Sequence, residues 1–436
     1  MPAGVAYYGR SASPAGIFRR ESVEFGIALP GRGPLAKPDQ VLKIAARADA
    51  LGYASIFVTD HVVLPASMAR SVYPYSPTGQ LPGGAAQDYL EPIAMLGCLA
   101  RVTSRARLGT SVLVIPYRHP LVTAKMLATI DQLSGGRIIL GAGVGWLREE
   151  FEAVGAPPFA ARGAVTDEYL QFMRATWTTD PVTFEGRWAS VRAVHALPKP
   201  VQPGGIPVWI GGHTEAALRR TAVLGDGWHP IGMRPPAMLP PEEYAAAVGR
   251  LHAHAQSTGR DPKTITLSLR VPMEVRAKGL KAPAGDRPFF QGTADQLIAD
   301  IRSYAQVGVT HFVFDFTQPE LRAALENLER FAKDVRPKLG AARATGGSRA
   351  GGRIVAAGAG GSANGVGRLA RGAVKGAGGL ARGARGSVVA SAARSGKRAG
   401  GLARGARGSE RRTTSGPKKK GTVRGAGRGA KRKGRR

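Results

Sequence analysis

The sequence predicts a (β/α)₈ TIM barrel over residues 23–340, followed by a tail of a different kind. Three observations carry this expectation. Eight short apolar runs recur along these residues, separated by stretches of helical period or turn composition. The runs are apolar almost throughout instead of alternating, as in a parallel sheet covered by helices. No G-x-G-x-x-G opens the first strand-to-helix turn, where PGRGPLAKP stands, so the competing doubly wound fold lacks its signature.

The elements follow in order. VEFGIAL (23–29) is the first strand, and Pro38 and Asp39 open a helix carrying Val41, Ile44, Ala45, Ala48 and Leu51, stopped by Gly52. SIFVT (55–59) is the second strand. After a long loop, a helix is expected from about Asp88 to Arg101, then a third strand, RLGTSVLVIP (107–116). The helix at 120–133 carries Val122, Met126, Ile130 and Leu133 on one face, and RIILGAG (137–143) is the fourth strand. A helix near 163–177 precedes a polar insertion (180–205) with a turn at FEGRW. IPVWIGG (206–212) is the fifth strand, and Thr214 caps a helix to Leu224. GDGWHPIG (225–232) holds the sixth strand, TITLSLRV (264–271) the seventh and THFVFDF (310–316) the eighth. Leu321, Leu325 and Leu328 lie on the last helix.

Charge divides the chain. Residues 1–340 hold 37 Lys/Arg against 29 Asp/Glu and every aromatic residue; residues 341–436 hold 25 against Glu410 alone, with 26 glycines. So polar and glycine-rich a segment cannot bury enough apolar surface to offset the cost of ordering, and disorder is expected there. GLARGARGS occurs in it twice, at 379–387 and 401–409. Such a cation is either an arm that binds nucleic-acid phosphates without sequence choice or a solvated extension of the reading frame. It has no aromatic residue for base stacking. Residues 1–22 read as a loose extension without the apolar core of a signal peptide. A single cysteine, Cys98, excludes an intramolecular disulfide and a cysteine metal cluster, and fits a reducing cytoplasm. No apolar run approaches the roughly 18 residues a membrane span needs.

In a barrel of this kind the functional residues sit just after the strands. The second strand ends in Asp60 and His61, read either as ligand contacts, with His61 as an acid/base of ordinary pKa about 6.5, or as satisfied loop residues. After the fourth comes GAGVGW (141–146), whose alternate glycines let a flat ligand or a backbone come close. After the fifth, Gly211, Gly212 and His213 lead into a helix whose first-turn N–H groups suit an anion such as phosphate. The sixth ends in Gly227, Trp228 and His229, where the indole either stacks on a ring system or closes the core. A metal shared by His61, His213 and His229 lacks carboxylate partners and is not expected.

The stretches TDHVVLP (59–65), YPYSPTG (73–79), SRARLGTSVLVIPYRHP (104–120), KMLATIDQLSGGRIILGAGVGWLREEF (125–151), TDEYL (166–170), PKPVQPGGIPVWIGGHTEAALRR (198–220) and GDGWHP (225–230) occur in an order that resembles the luciferase-like monooxygenase family, and within it the coenzyme F420 branch. The resemblance covers about residues 23–338. It implies an oxidoreductase that moves hydride between the deazaflavin and a small organic substrate, with Asp60 and His61 beside the ring and His61 exchanging a proton. It implies a non-prolyl cis peptide at Ser111–Val112 behind the ring, ring contacts from Val144 and Gly145, and phosphate binding by Gly211, Gly212 and His213. Trp228 and His229 fall at ring-side positions. Trp146 stands where the family's sugar-phosphate dehydrogenases have an acidic glutamate, which argues for a more apolar pocket, lined or covered by a 62–87 loop and Tyr73, Tyr75 and Tyr89. With FMN instead, the same barrel implies an oxygen-using monooxygenase. The partners expected are a small-molecule substrate, a second copy of the chain in a homodimer, and no membrane. A reading from another class makes the chain a nucleic-acid-binding protein acting through its tail.

Overall fold

Each apolar run of the sequence becomes one stave of a closed barrel. The computed structural model describes residues 23–279, 287–316 and 318–339; the expected extension at 1–22 and the basic tail at 341–436 lie outside the described residues. The staves are β1 (Glu24–Ala28), β2 (Ser55–Val58), β3 (Arg107–Thr110), β4 (Ile138–Gly143), β5 (Val208–Ile210), β6 (Gly227–Trp228), β7 (Thr266–Pro272) and β8 (His311–Asp315). Each pairs in parallel with its sequence neighbours. Phe25 opposite Phe312 joins β1 to β8, and Leu108 opposite Ile138 joins β3 to β4. The TIM barrel expected from the sequence is the fold observed.

Helices α1 (Pro38–Ala50), α2 (Pro92–Val102), α3 (Pro120–Ser134), α4 (Arg162–Thr178), α5 (Glu215–Leu224), α6 (Pro241–Ser257), α7 (Ala294–Gln306) and α8 (Leu321–Arg330) follow the eight strands in turn. Proline opens four of them, where its missing N–H removes no helical hydrogen bond. Thr293 and Gln296 close a capping box at the start of α7.

Four features differ from the sequence expectation beyond shifts of a residue or two at strand ends. Helix α2 starts at Pro92 instead of Asp88, because Glu91 accepts the Ala94 N–H and fixes the first turn there. The third apolar run is broken: β3 stops at Thr110, and a two-residue strand, Leu113–Val114, pairs with the end of β4. The polar insertion holds an antiparallel hairpin, Val182–Glu185 with Ser190–Val194. On α3 the buried face is Ala124, Leu127 and Ala128, whereas Val122, Met126 and Leu133 are exposed and only Ile130 of the expected stripe is buried.

Alternation along the staves sorts the core into two layers. Outward residues such as Ile56, Leu108, Leu140 and Phe312 pack under the helices in one large cluster. Ala28, Phe57, Ile139, Trp209 and Val313 form a separate cluster, which fills the lumen. Phe57 stacks on Trp209 with ring centroids 5.8 Å apart and on His229 at 5.1 Å. The lumen is a packed plug, so chemistry is confined to the rim above it.

Candidate active site

At the rim of β2 the chain turns sharply, and His61 is buried with its side chain only 8% exposed. Its Nδ1 lies 2.6 Å from Oε2 of Glu150, which is fully buried on the short helix Arg148–Ala153. The other Glu150 oxygen accepts the backbone N–H groups of Val62, at 2.7 Å, and Val63, at 3.2 Å, and the Tyr117 hydroxyl donates to Oε2 at 3.0 Å. Besides the imidazole, two backbone amides and one phenol donate to this carboxyl group. That carboxylate takes the Nδ1–H, which leaves Nε2 as the nitrogen free to exchange a proton. Tyr89 and Trp146 flank the ring edge-on, at 4.9 and 5.9 Å.

Asp60 does something else. Arg118 grips both of its oxygens at 2.8 Å, and the Val114 N–H donates to Oδ2 at 2.8 Å. Complete burial pushes its pKa up, while the guanidinium and the amide oppose that rise. With both oxygens engaged inside the protein, Asp60 anchors the broken third strand. The two adjacent residues thus have separate partners, Arg118 for Asp60 and Glu150 for His61.

Between β3 and its short continuation, the Ser111–Val112 peptide is cis. Ser111 turns into the lumen, where its hydroxyl meets His229 Nε2 at 2.8 Å and Arg270 donates to its carbonyl at 2.7 Å. Val112 turns the other way. A Cβ on Gly143 would lie 2.3 Å from Val112 Cγ2, and one on Gly211 would lie 2.8 Å from Cγ1, so these glycines make room for the valine. A Cβ on Gly141 would meet the Thr110 carbonyl at 1.8 Å, and one on Gly145 would meet the Phe151 ring at 2.7 Å. The space that the GAGVGW glycines leave open is thus taken by the protein's own chain. Val144, between them, is partly exposed beside Gly145.

The rim of β5 carries the partly exposed turn Gly211, Gly212 and His213. Gly212 has φ +102°, which only glycine adopts readily. His213 donates from Nε2 to the Ile231 carbonyl at 2.6 Å, and burial lowers its pKa, so it is neutral at pH 7. Thr214 accepts the Ala217 N–H, while the N–H groups of Glu215 and Ala216 in that first turn have no partner within the helix.

The remaining expected residues lie elsewhere. His229 is fully buried, held by Ser111 and, from Nδ1, by Ser268 at 2.8 Å, with its pKa pushed down to about 3 by burial and by the nearby Arg270 and His311. It lies beneath the rim. Trp228 is fully buried on the outer side of β6, 4.8 Å from the Tyr244 ring of α6, and donates from Nε1 to the Gly212 carbonyl at 2.9 Å. It braces the glycine turn from behind and does not line the mouth.

Aromatic side chains complete the mouth. Tyr73 meets Trp146 edge-on at 5.1 Å and Tyr75 at 5.7 Å, and the Tyr89 hydroxyl is 2.9 Å from Thr59 Oγ1. Tyr75 is pushed up to about 12 by burial, so it is a neutral phenol there. Glu150, Tyr117, Arg118 and Arg270 were not singled out by the sequence reading. Among the described residues no cluster of three or more His, Cys, Asp or Glu side chains is placed to hold a metal. No helix among them is long and apolar enough to cross a membrane.

Comparison with known proteins agrees with this architecture. An uncharacterised protein of Mycobacterium tuberculosis (strain ATCC 25618 / H37Rv) is 30% identical over 306 residues, covering 68% of this chain and 95% of its own length. The F420-dependent glucose-6-phosphate dehydrogenase of Amycolatopsis mediterranei (strain U-32) is 26% identical over 337 residues, 69% and 95%. In fold, the chain is similar to a monooxygenase from Streptomyces bottropensis, with TM-score 0.59 and 22% identity over 72% of this chain and 99% of that one. It is similar also to an F420-dependent secondary alcohol dehydrogenase holding an F420-acetone adduct, with TM-score 0.58 and 18% identity over 73% and 99%. The family model for luciferase-like monooxygenases matches residues 23–347, three quarters of the sequence, and with the barrel and its rim described, the chain belongs to that family.

Proposed function

We propose that this protein is an F420-dependent oxidoreductase that transfers hydride between the deazaflavin and a small, largely apolar organic substrate. The observation that carries the reading is the pairing of His61 with Glu150 under a wall of aromatic side chains. Bound F420 supplies a two-electron carbon centre. His61 supplies or accepts the balancing proton at Nε2, while Glu150 fixes the tautomer through Nδ1. Tyr73, Tyr89 and Trp146 exclude water from that nitrogen and offer apolar faces to the substrate.

The residues present fit such a coenzyme. Val112 and Val144 give a partly exposed apolar floor for a flat ring system, and Asp60 supports that floor through Val114 without touching the ring. The Gly211–Gly212–His213 turn and the first amides of α5 suit a phosphate. Because His213 is neutral, that recognition rests on N–H groups and not on an imidazolium.

F420 is preferred to FMN because curated relatives covering 69% of the chain use F420 by name. An FMN-dependent monooxygenase is the second reading, favoured by the likeness in fold to a Baeyer–Villiger monooxygenase solved with FMN. Titration of the full chain with each cofactor separates them. F420 is expected to bind with the higher affinity; tight FMN binding without F420 binding would overturn the proposal.

A further inference from the structure

The loop from Val62 to Gln87 is tied to the catalytic rim by two consecutive side chains of one short helix. Glu150 takes its first two amides and His61. Glu149, only 9% exposed, takes the Arg70 N–H at 2.7 Å on one oxygen and the Ser71 hydroxyl at 2.5 Å on the other. Ser71 Oγ in turn accepts the Arg148 N–H at 2.9 Å, so the hydroxyl is engaged as donor and as acceptor on the same short helix. Against the upward pull of burial, the Ser71 hydroxyl and backbone amides that include Arg70 hold the Glu149 carboxyl below its ordinary value. Glu152 adds an exposed grip on the Arg70 guanidinium. Two residues beyond Ser71, Tyr73 reaches Trp146, which flanks His61.

We propose that Glu149 is a positioning residue, a latch that holds the Tyr73–Tyr75 segment of the loop over the mouth and thereby sets substrate affinity. Glu150 fixes the proton-bearing histidine; Glu149 fixes the wall the substrate meets. Leu147 and Phe151, both buried, anchor the helix between the two functions, so each carboxylate acts from a rigid base. The two jobs separate kinetically: an interaction that serves ground and transition states alike appears in KM, and one made with the reacting proton appears in kcat.

This inference rests on the proposed function for its kinetic half and is independent of it for its structural half. Arg70 is exposed, and the Arg70–Ser71 bond lies within the latched segment. Trypsin cleavage of that bond in the full chain, followed by mass spectrometry of the peptide 71–101, reads the latch without cofactor or substrate. Ser71→Ala is expected to speed cleavage by about tenfold, the loss of its charge-assisted hydrogen bond, and Glu149→Ala, which also frees the Arg70 amide, by at least as much. In steady-state kinetics with the cofactor identified by titration, both are expected to raise KM by about tenfold with kcat nearly unchanged. Ser71→Thr, which keeps the hydroxyl, should return both readouts toward wild type. Unchanged cleavage in Ser71→Ala and Glu149→Ala overturns the latch, as does a fall in kcat at constant KM. Should Glu149→Ala not fold, Ser71→Ala alone decides. Failure of the F420 reading shows instead as absent F420 binding by the wild-type chain.

Discussion

His61 and Glu150 are 89 positions apart in the chain, yet Nδ1 of one lies 2.6 Å from Oε2 of the other. Replacing Glu150 by Gln removes the charge that favours a proton on Nδ1 and disturbs the Val62 and Val63 amides. Turnover should fall by about ten- to a hundredfold, less than the roughly 10²–10⁴-fold a proton-transferring group itself contributes. His61→Ala should lower turnover at least as far, with cofactor affinity changed by less than about threefold. Rates against pH, together with cofactor titrations, measure both. Wild-type turnover in His61→Ala would remove it as the acid/base.

The glycines beneath the rim should differ in their tolerance of alanine. At Gly141 the new Cβ meets a backbone carbonyl at 1.8 Å, which cannot step aside; at Gly211 it meets a side-chain methyl of Val112 at 2.8 Å. Gly141→Ala is therefore expected to cost more than about 3 kcal/mol or to prevent folding, and Gly211→Ala about 1–3 kcal/mol. Urea unfolding of the two variants tests the ranking, and equal midpoints would contradict it.

His229 should make the barrel acid-sensitive. The folded protein holds its pKa down to about 3, whereas the unfolded chain protonates near the ordinary 6.5. Its contribution is therefore complete above about pH 6.5 and is lost as pH falls toward 3, by up to about 1.4 kcal/mol per pH unit. His229→Asn should flatten that part of the stability curve. A pH dependence between 6 and 4 as steep as the wild type's would count against it.

Helix α3 exposes Val122, Met126 and Leu133 at 55%, 38% and 69%. A second copy of the chain is the proposed occupant of this stripe, because large apolar side chains aligned on one helix are an association surface. Light scattering at micromolar protein should give a dimer, and Met126→Asp with Leu133→Asp should shift it toward monomer. A monomeric wild type rules this out.

The barrel was legible because parallel strands buried on both faces announce themselves as apolar runs, and helix starts as proline or a capping side chain. Position after a strand was also enough to place Asp60 and His61 at the rim. What Asp60 does there was not, since it is occupied by Arg118, whose approach from the third strand-to-helix loop leaves no local trace. Trp228 misled because one step along the chain reverses the face: His229 points into the lumen against Phe57 and Trp228 out to α6. One signal for Glu150 was available. Leu147, Glu150 and Phe151 stand at i, i+3 and i+4, so a carboxylate lies on the apolar face of its helix, where it needs a partner.

Arg118 also donates to Glu91, the residue that caps α2, while it grips Asp60 at the end of β2. One guanidinium thus acts as a keystone for two consecutive strand–helix units, β2–α2 and β3–α3. On the proposed function, the Asp60–His61 pair is then half masonry and half chemistry. On the function proposed above, an aspartate retained at this position in a related chain would testify to an intact arch, and the histidine with its distant glutamate to the proton-exchanging half.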